Sequence, residues 1–221
     1  MTMLPRTLEP EVMESLQDAL DYDSMDHREV NRVFVRDFLT TSPDLDEVLD
    51  LGTGTAQIPI ELCRQSAEGR VLAIDLSGEM LLVAKANVEV ASLRDRIMLD
   101  RIDAKGLPYA DGRFSAVMSN SIVHHIPDPA PSFAEAVRVT RSGGRLFFRD
   151  LARPDSAEQV RMLVQQHAVG ANEHQRKLFG DSLHAALSLD EVQATVGALG
   201  FSPETVSLTS DRHWTWSVIK P

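Results

Sequence analysis

Val48-Leu49-Asp50-Leu51-Gly52-Thr53-Gly54-Thr55-Ala56 passes from a short apolar run, through two glycines, into a stretch patterned as a helix. The run is too short for a buried helix and is closed by glycine, so it reads as a buried strand ending in a tight turn. Gly52 and Gly54 let the backbone bend sharply and let a ligand approach it closely. The helix behind them would offer N–H groups that no intrahelical carbonyl can accept. A G-x-G turn by itself is common, and a plain strand-to-helix connection would account for it.

The pattern continues on both sides of this loop. A helix over 56–66 precedes a second strand, Val71-Leu72-Ala73-Ile74-Asp75, and a helix over 78–91 follows it. Strands are expected at 96–103, 114–120 and 144–150, with a helix over 129–140 started by an Asp-Pro pair. Alternating strands and helices imply a parallel sheet covered on both faces. Upstream, residues 9–40 carry apolar residues at helical spacing: Val12, Leu16, Ala19 and Leu20, then Val30, Val33, Phe34, Phe38 and Leu39. A polar break at 21–27 separates the two sets, and Pro43 ends the region. After Pro154 the chain reads as helical to about residue 199, with breaks at Gly170 and Gly180. Ser188-Leu189-Asp190-Glu191 has the spacing of a capping box. Residues 206–208 and 214–219 read as two closing strands.

The bulk properties narrow the function classes. The 221 residues suit one globular domain. With 33 acidic against 22 basic residues the formal charge is −11, which repels phosphate backbones, so no nucleic-acid partner is expected. Cys63 is the sole cysteine, so neither an intrachain disulfide nor a cysteine-built metal site can form. No apolar run reaches the ~18 residues of a membrane span, and the first residues lack a secretory pattern. The expectation is a cytoplasmic chain with no membrane partner.

Two carboxylates strengthen the reading of the glycine loop. Asp75 ends the second strand about 20 residues downstream, where an acidic side chain can accept hydrogen bonds from both hydroxyls of a ribose. Asp103, followed by Ala104, ends the third strand on the same carboxyl edge of the sheet, along which ligands of open α/β sheets bind.

The chain here resembles the class I S-adenosylmethionine-dependent methyltransferases, in their small-molecule, ubiquinone-biosynthesis-like branch. The resemblance rests on Asp50-Leu51-Gly52-Thr53-Gly54-Thr55-Ala56, Ile74-Asp75-Leu76-Ser77, Asp103-Ala104, Ser119-Asn120-Ser121-Ile122-Val123-His124-His125-Ile126 and Arg141-Ser142-Gly143-Gly144-Arg145-Leu146. It implies a Rossmann-like, mostly parallel sheet of about seven strands, the last antiparallel, with helices on both faces and helical caps. It also implies one domain over 1–221: an N-terminal cap (1–42), a cofactor-binding core (43–151), a helical lid (152–199) and closing strands (200–221). S-adenosylmethionine is the implied cofactor and a small molecule the methyl acceptor. Asp50, Gly52, Thr53 and Gly54 would face its methionine part, and Asp75 its ribose. Leu76 and Met80 would lie beside the adenine, and Asp103 and Ala104 at its amino edge. Asn120 and Ser121 would sit near the amino-acid end. Ala56 departs from the glycine many members carry, and should fit if the helix starts there. A nicotinamide-dinucleotide oxidoreductase would want glycine where Gln57 stands; a catalytically silent S-adenosylmethionine-binding protein is the other alternative.

Remaining candidates are weaker. His124 and His125 follow the fourth strand, where an imidazole could take a proton from an acceptor. Adjacent residues point different ways, so at most one of them should face the acceptor. The segment Asn120-Ser121-Ile122-Val123 lacks the proline and aromatic residue common where amino groups of bases or proteins are methylated. Arg149, Asp150 and Arg153 lie at the end of the fifth strand, where an arginine could pair with an acceptor carboxylate or phosphate, or the group could form a solvated ion pair. Tyr22, within a polar stretch reaching His27, could close over a sulfonium by a cation–π contact. His167, His174, His184 and His213 are scattered, and no metal is expected. Trp214 and Trp216 share one strand face, for core packing or a homodimer contact.

Overall fold

The structure is a computed structural model and describes residues 4–11 and 15–221. Val12, the start of the expected N-terminal stripe, lies outside the described residues. One seven-stranded sheet runs in the order β3-β2-β1-β4-β5-β7-β6. Its strands are β1 (Val48–Leu51), β2 (Val71–Asp75), β3 (Ile97–Arg101), β4 (Phe114–Asn120), β5 (Thr140–Leu151), β6 (Val206–Leu208) and β7 (His213–Ile219). β1 is buried throughout and pairs in parallel with β2 and β4, Val48 standing opposite both Val71 and Ala116. Burial on two faces explains why its sequence is a continuous apolar run rather than an alternating one. Strand order reverses between β1 and β4, so the glycine loop leaves β1 at the switch point where open α/β sheets bind ligands. β7 is the antiparallel strand: backbone bonds join Gly143 to Lys220 and Ala152 to Arg212, and β6 pairs antiparallel with it.

Internal contacts divide the chain into two compact units. One holds the chain from the first helix to Asn120, with Ala130–Phe148 and Ser217–Pro221. Here α2 (Arg28–Thr40) sets Phe34 and Phe38 against Phe147, with ring centroids 5.2 and 5.6 Å apart. α3 (Gln57–Gln65) and α4 (Gly78–Val90) add Leu62, Cys63, Ala84 and Val88 to the same cluster. Cys63 is thus a small apolar core residue. α1 (Leu16–Ser24) begins at Ser15, whose side chain accepts the Asp18 N–H. α5 (Ala130–Val139) feeds directly into β5.

The second unit holds the N-terminal stretch through Glu11, Ser121–Pro129 and Arg149–Trp216. Val160 of α6 (Ala157–His167) and Leu183 of α7 (Glu173–Ala185) pack with Leu151 and Ala186. α8 (Leu189–Ala198) opens with the expected capping box of Ser188 and Glu191. Trp214 and Trp216 are fully buried, so their shared face is core.

Several expectations are corrected. Residues 9–11 are not helical; Pro5 and Pro10 deny N–H donors there. Of the first stripe Ala19 is buried, but Leu16 and Leu20 are exposed. α7 runs straight through Gly180, whose φ is not left-handed and where a Cβ would make only an ordinary contact, 3.7 Å from Val164, so this glycine does not break the helix. Gly170, at φ +81°, does interrupt the helices. β5 starts four residues earlier than 144, at Thr140, and β3 stops at Arg101 before the expected 103.

Candidate functional site

Alternate residues of the loop after β1 adopt left-handed backbone: Gly52 at φ +69°, Gly54 at +55° and Ala56 at +63°. Ala56 is therefore not the first helical residue. It is the N-cap of α3, in a conformation where a Cβ costs about 1–2 kcal/mol. Its methyl is wholly buried in the core cluster, which offsets part of that cost.

Asp75 fixes the loop. Its Oδ2 accepts the Gly54 N–H at 2.8 Å and its Oδ1 the Ser77 N–H at 2.8 Å, so one carboxylate ties the glycine turn to the start of α4. Burial raises its pKa, and these backbone donors hold it down in part. Asp50, one residue before the end of β1, is 2% exposed, and its Oδ2 has no hydrogen-bond partner. Burial pushes its carboxyl up to about 7; Thr53 close by lowers it and Asp75 adds to the rise. Thr53 Oγ1 and Thr55 Oγ1 are likewise buried without partners. Unpartnered buried oxygens are costly, and a loop holding three of them suits a ligand rich in ammonium and hydroxyl donors.

A network missed in the sequence sets Tyr22 beside this loop. Gln57 Nε2 and Asn87 Nδ2 donate to Asp23 Oδ1 at 2.8 and 2.9 Å, and Asn87 also donates to the Thr55 carbonyl at 3.0 Å. Asp23 is thereby pinned, and with it its neighbour Tyr22, whose Cε1 lies 4.0 Å from where a Gly54 Cβ would stand. Tyr22 also packs on His27, centroids 5.0 Å apart. Met80 is enclosed by Ala19, Val83 and Tyr22. Leu76 gives its carbonyl to Arg101, and Asp103 accepts the Lys105 N–H at 2.9 Å and faces its ammonium. Ala104 follows in the same turn, and Asn120 ends β4.

In the second unit Ser121 stands at φ +57° with its N–H on the Arg149 carbonyl. A single 3₁₀ turn, Val123–His125, follows. This turn brings both imidazoles to one side, contrary to the expectation that neighbours diverge: their centroids are 4.1 Å apart and both rings face Glu9. His124 Nδ1 meets Asp150 Oδ1 at 2.5 Å, while Asp150 Oδ2 accepts the Val123 N–H at 2.6 Å. Burial opposes charge on His124, but Asp150 and Glu9 prevail and its pKa is raised. Burial and the neighbouring His124 press His125 down to about 3. Arg6 donates to the carbonyls of His124, Ile126, Pro127 and Ala185, binding the N-terminal stretch to the turn.

The arginines at the end of β5 are already occupied. Arg149 Nε donates to Thr215 Oγ1 at 2.9 Å, and Arg153, 8% exposed, spans the Ala186 carbonyl and Glu191. Arg153 itself is buried in this ion pair, while Glu191 remains partly open to solvent. His167 meets Asp211 at 2.6 Å and His213 meets Ser210 at 2.8 Å.

Residues 49–148 match the methyltransferase domain family. The chain is 30% identical over 174 residues to 27-O-demethylrifamycin SV methyltransferase of Amycolatopsis mediterranei, covering 77% of this chain and 60% of that protein. It is 35% identical over 109 residues to demethylmenaquinone methyltransferase of Lactiplantibacillus plantarum, covering 49% and 46%. The chain thus spans about half the length of these curated relatives. The fold superimposes on a candidate S-adenosyl-L-methionine-dependent methyltransferase from Methanococcus maripaludis with a TM-score of 0.73, at 20% identity and 97% coverage of each chain. Residues 49–148 thus match a methyltransferase domain, with the sheet order and the glycine loop after β1 that the family resemblance implies.

Proposed function

We propose that the chain moves a methyl group from S-adenosylmethionine to a small-molecule acceptor. The observation that carries this reading is the pair of carboxylates at consecutive strand ends, Asp50 buried with an unpartnered oxygen and Asp75 half-buried and locked to the glycine loop. S-adenosylmethionine supplies a methyl already activated by the positive sulfur, so the protein's work is to bind, orient and exclude water. Asp50 and the carbonyls of Gly52–Gly54 would take the ammonium end, with the Thr53 hydroxyl beside them. Asp75 keeps acceptor capacity for a ribose hydroxyl after taking the N–H groups of Gly54, Ser77 and Leu76. Leu76, Met80, Asp103 and Ala104 would border the adenine, and Asn120 and Ser121 the amino-acid end. Tyr22 would lie over the bound cofactor and keep water from the sulfonium.

The acceptor's lone pair forms the new bond to carbon as the carbon–sulfur bond breaks, and its electrons return to a neutral sulfide. A base is needed only where the acceptor must lose a proton early. His124 can serve only with Glu9 withdrawn from its Nε2, and His125, pressed far down, is a weak base. The named relatives act on a rifamycin and on demethylmenaquinone, and the charge of −11 disfavours nucleic acid; both support a small acceptor. Among the described residues no helix is long and apolar enough to cross a membrane.

Calorimetry tests the reading. S-adenosylmethionine and its demethylated product should bind with micromolar affinity and a nicotinamide dinucleotide should not. Binding of the dinucleotide alone overturns the assignment; cofactor binding without transfer to any quinol or polyketide phenol or hydroxyl probe identifies a silent binding protein.

A further inference from the structure

We propose that Glu9, His124 and His125 form a binding site for one divalent transition-metal ion of the zinc, cobalt, nickel or ferrous class. The three side chains come from the N-terminal stretch and the 3₁₀ turn, and their donor atoms all lie within 4.8 Å of one another. Glu9 Oε1 stands 3.5 Å from His124 Nε2 and 3.2 Å from His125 Nδ1. Two donors each about 2.1 Å from a shared ion stand about 3.0–3.4 Å apart at octahedral and tetrahedral angles. The Glu9 contacts therefore have the spacing of ligands around an ion.

Hydrogen bonding points the same way. Glu9 Oε1 and His125 Nδ1 are buried and make no hydrogen bond, even to each other at 3.2 Å. A pair so close yet misaligned fits lone pairs converging on a third atom better than a donor meeting an acceptor. His124 has its other ring nitrogen on Asp150, and Asp150 is anchored by the Val123 and Leu151 N–H groups. A carboxylate on the far nitrogen of a ligating histidine fixes its tautomer and turns the remaining lone pair to the metal. Arg6 brings positive charge near, but its donors are spent on three carbonyls at the turn, which they brace, and on that of Ala185.

Two imidazoles and one carboxylate select a borderline cation over magnesium or calcium, which take oxygen donors. Three protein ligands leave at least one coordination position for water or an oxygen-bearing ligand. A metal on His124 Nε2 would exclude that nitrogen from proton transfer. The site is separate from the cofactor reading and stands or falls without it.

The test uses the full chain, free of any affinity tag and stripped with chelator. Cobalt(II) titration should give one equivalent bound in the micromolar range with visible d–d absorption, and zinc should displace it. Glu9→Gln and His125→Gln should each weaken binding about tenfold or more with unchanged circular dichroism. His174→Gln, outside the cluster, should bind as the parent does. Absence of saturable one-to-one binding by the parent chain overturns the proposal. So does binding that both cluster variants leave intact, which would mark an adventitious surface site. Loss of cofactor binding with retained cobalt binding would overturn the methyltransferase reading and leave the metal site standing.

Discussion

The Asp75 carboxylate reaches back across 21 positions to hold the Gly54 N–H at 2.8 Å, so the residue proposed for the ribose is also a structural member of the glycine loop. Binding and loop geometry are therefore not separable at this position. Asp75→Asn keeps one acceptor oxygen but turns an NH₂ toward a backbone N–H, so the exchange is not conservative. It should weaken S-adenosylmethionine binding about tenfold to a hundredfold, the 1.5–3 kcal/mol of a charged hydrogen bond, and lower the melting temperature as well. Calorimetry and thermal melts check both; normal affinity would remove Asp75 from the ribose.

Asp50 predicts a pH dependence. Its folded pKa lies near 7, above the usual carboxylate value of 3.8. A group whose pKa rises on folding contributes stability that is full below the unfolded value and is lost as pH climbs through the folded one. Without cofactor, the parent should thus lose stability relative to Asp50→Asn between about pH 4 and 7, with no further change above. The same variant should bind S-adenosylmethionine more weakly at pH 8. Parallel melting curves at every pH would refute the assignment.

Gly144 is the sharpest steric prediction. A Cβ there would meet Thr140 Cγ2 at 2.8 Å and the carbonyls of Arg141 and Ser115 at 2.9 Å. Gly144→Ala should cost about 1–3 kcal/mol by overpacking, measured by urea denaturation. Gly106→Ala, with nothing within 4 Å, should stay within about 0.5 kcal/mol of the parent.

Arg6→Ala should destabilise the chain by about 1.5–3 kcal/mol, the scale for hydrogen bonds from a charged donor. Its signature is local: amides around Val123–His125 should exchange faster, while those of the glycine loop keep their protection. A uniform increase would mean that Arg6 supports the whole fold instead.

Much of the fold was legible because its signals are local. The apolar runs of β1 and β2, the glycines between β1 and α3, and the Ser188–Glu191 capping box each fit within a few residues. Asp75 was readable as a strand end by itself, whereas Asp50 came only with the family resemblance and Asp103 falls beyond the end of β3. Ala56 was misplaced because a single alanine does not show the sign of its φ angle, and Gly180 because a glycine inside a helix and a helix-breaking one look alike in sequence. The Glu9 cluster was invisible for another reason: Glu9 and His124 are over a hundred positions apart, and no periodicity links an irregular N-terminal stretch to a 3₁₀ turn. Asp23, Gln57 and Asn87 likewise meet only when three helices pack.

The Arg6 bond to the Ala185 carbonyl also bears on how the chain folds. The two partners are 179 positions apart, so closing this bond means joining segments far apart in the chain. Such distant pairing is slow, because closure entropy is spent before the contact forms. The unit that Arg6 closes gathers the N-terminal stretch through Glu11, Ser121–Pro129 and Arg149–Trp216, so refolding of the 123–127 turn should be the slowest observable phase.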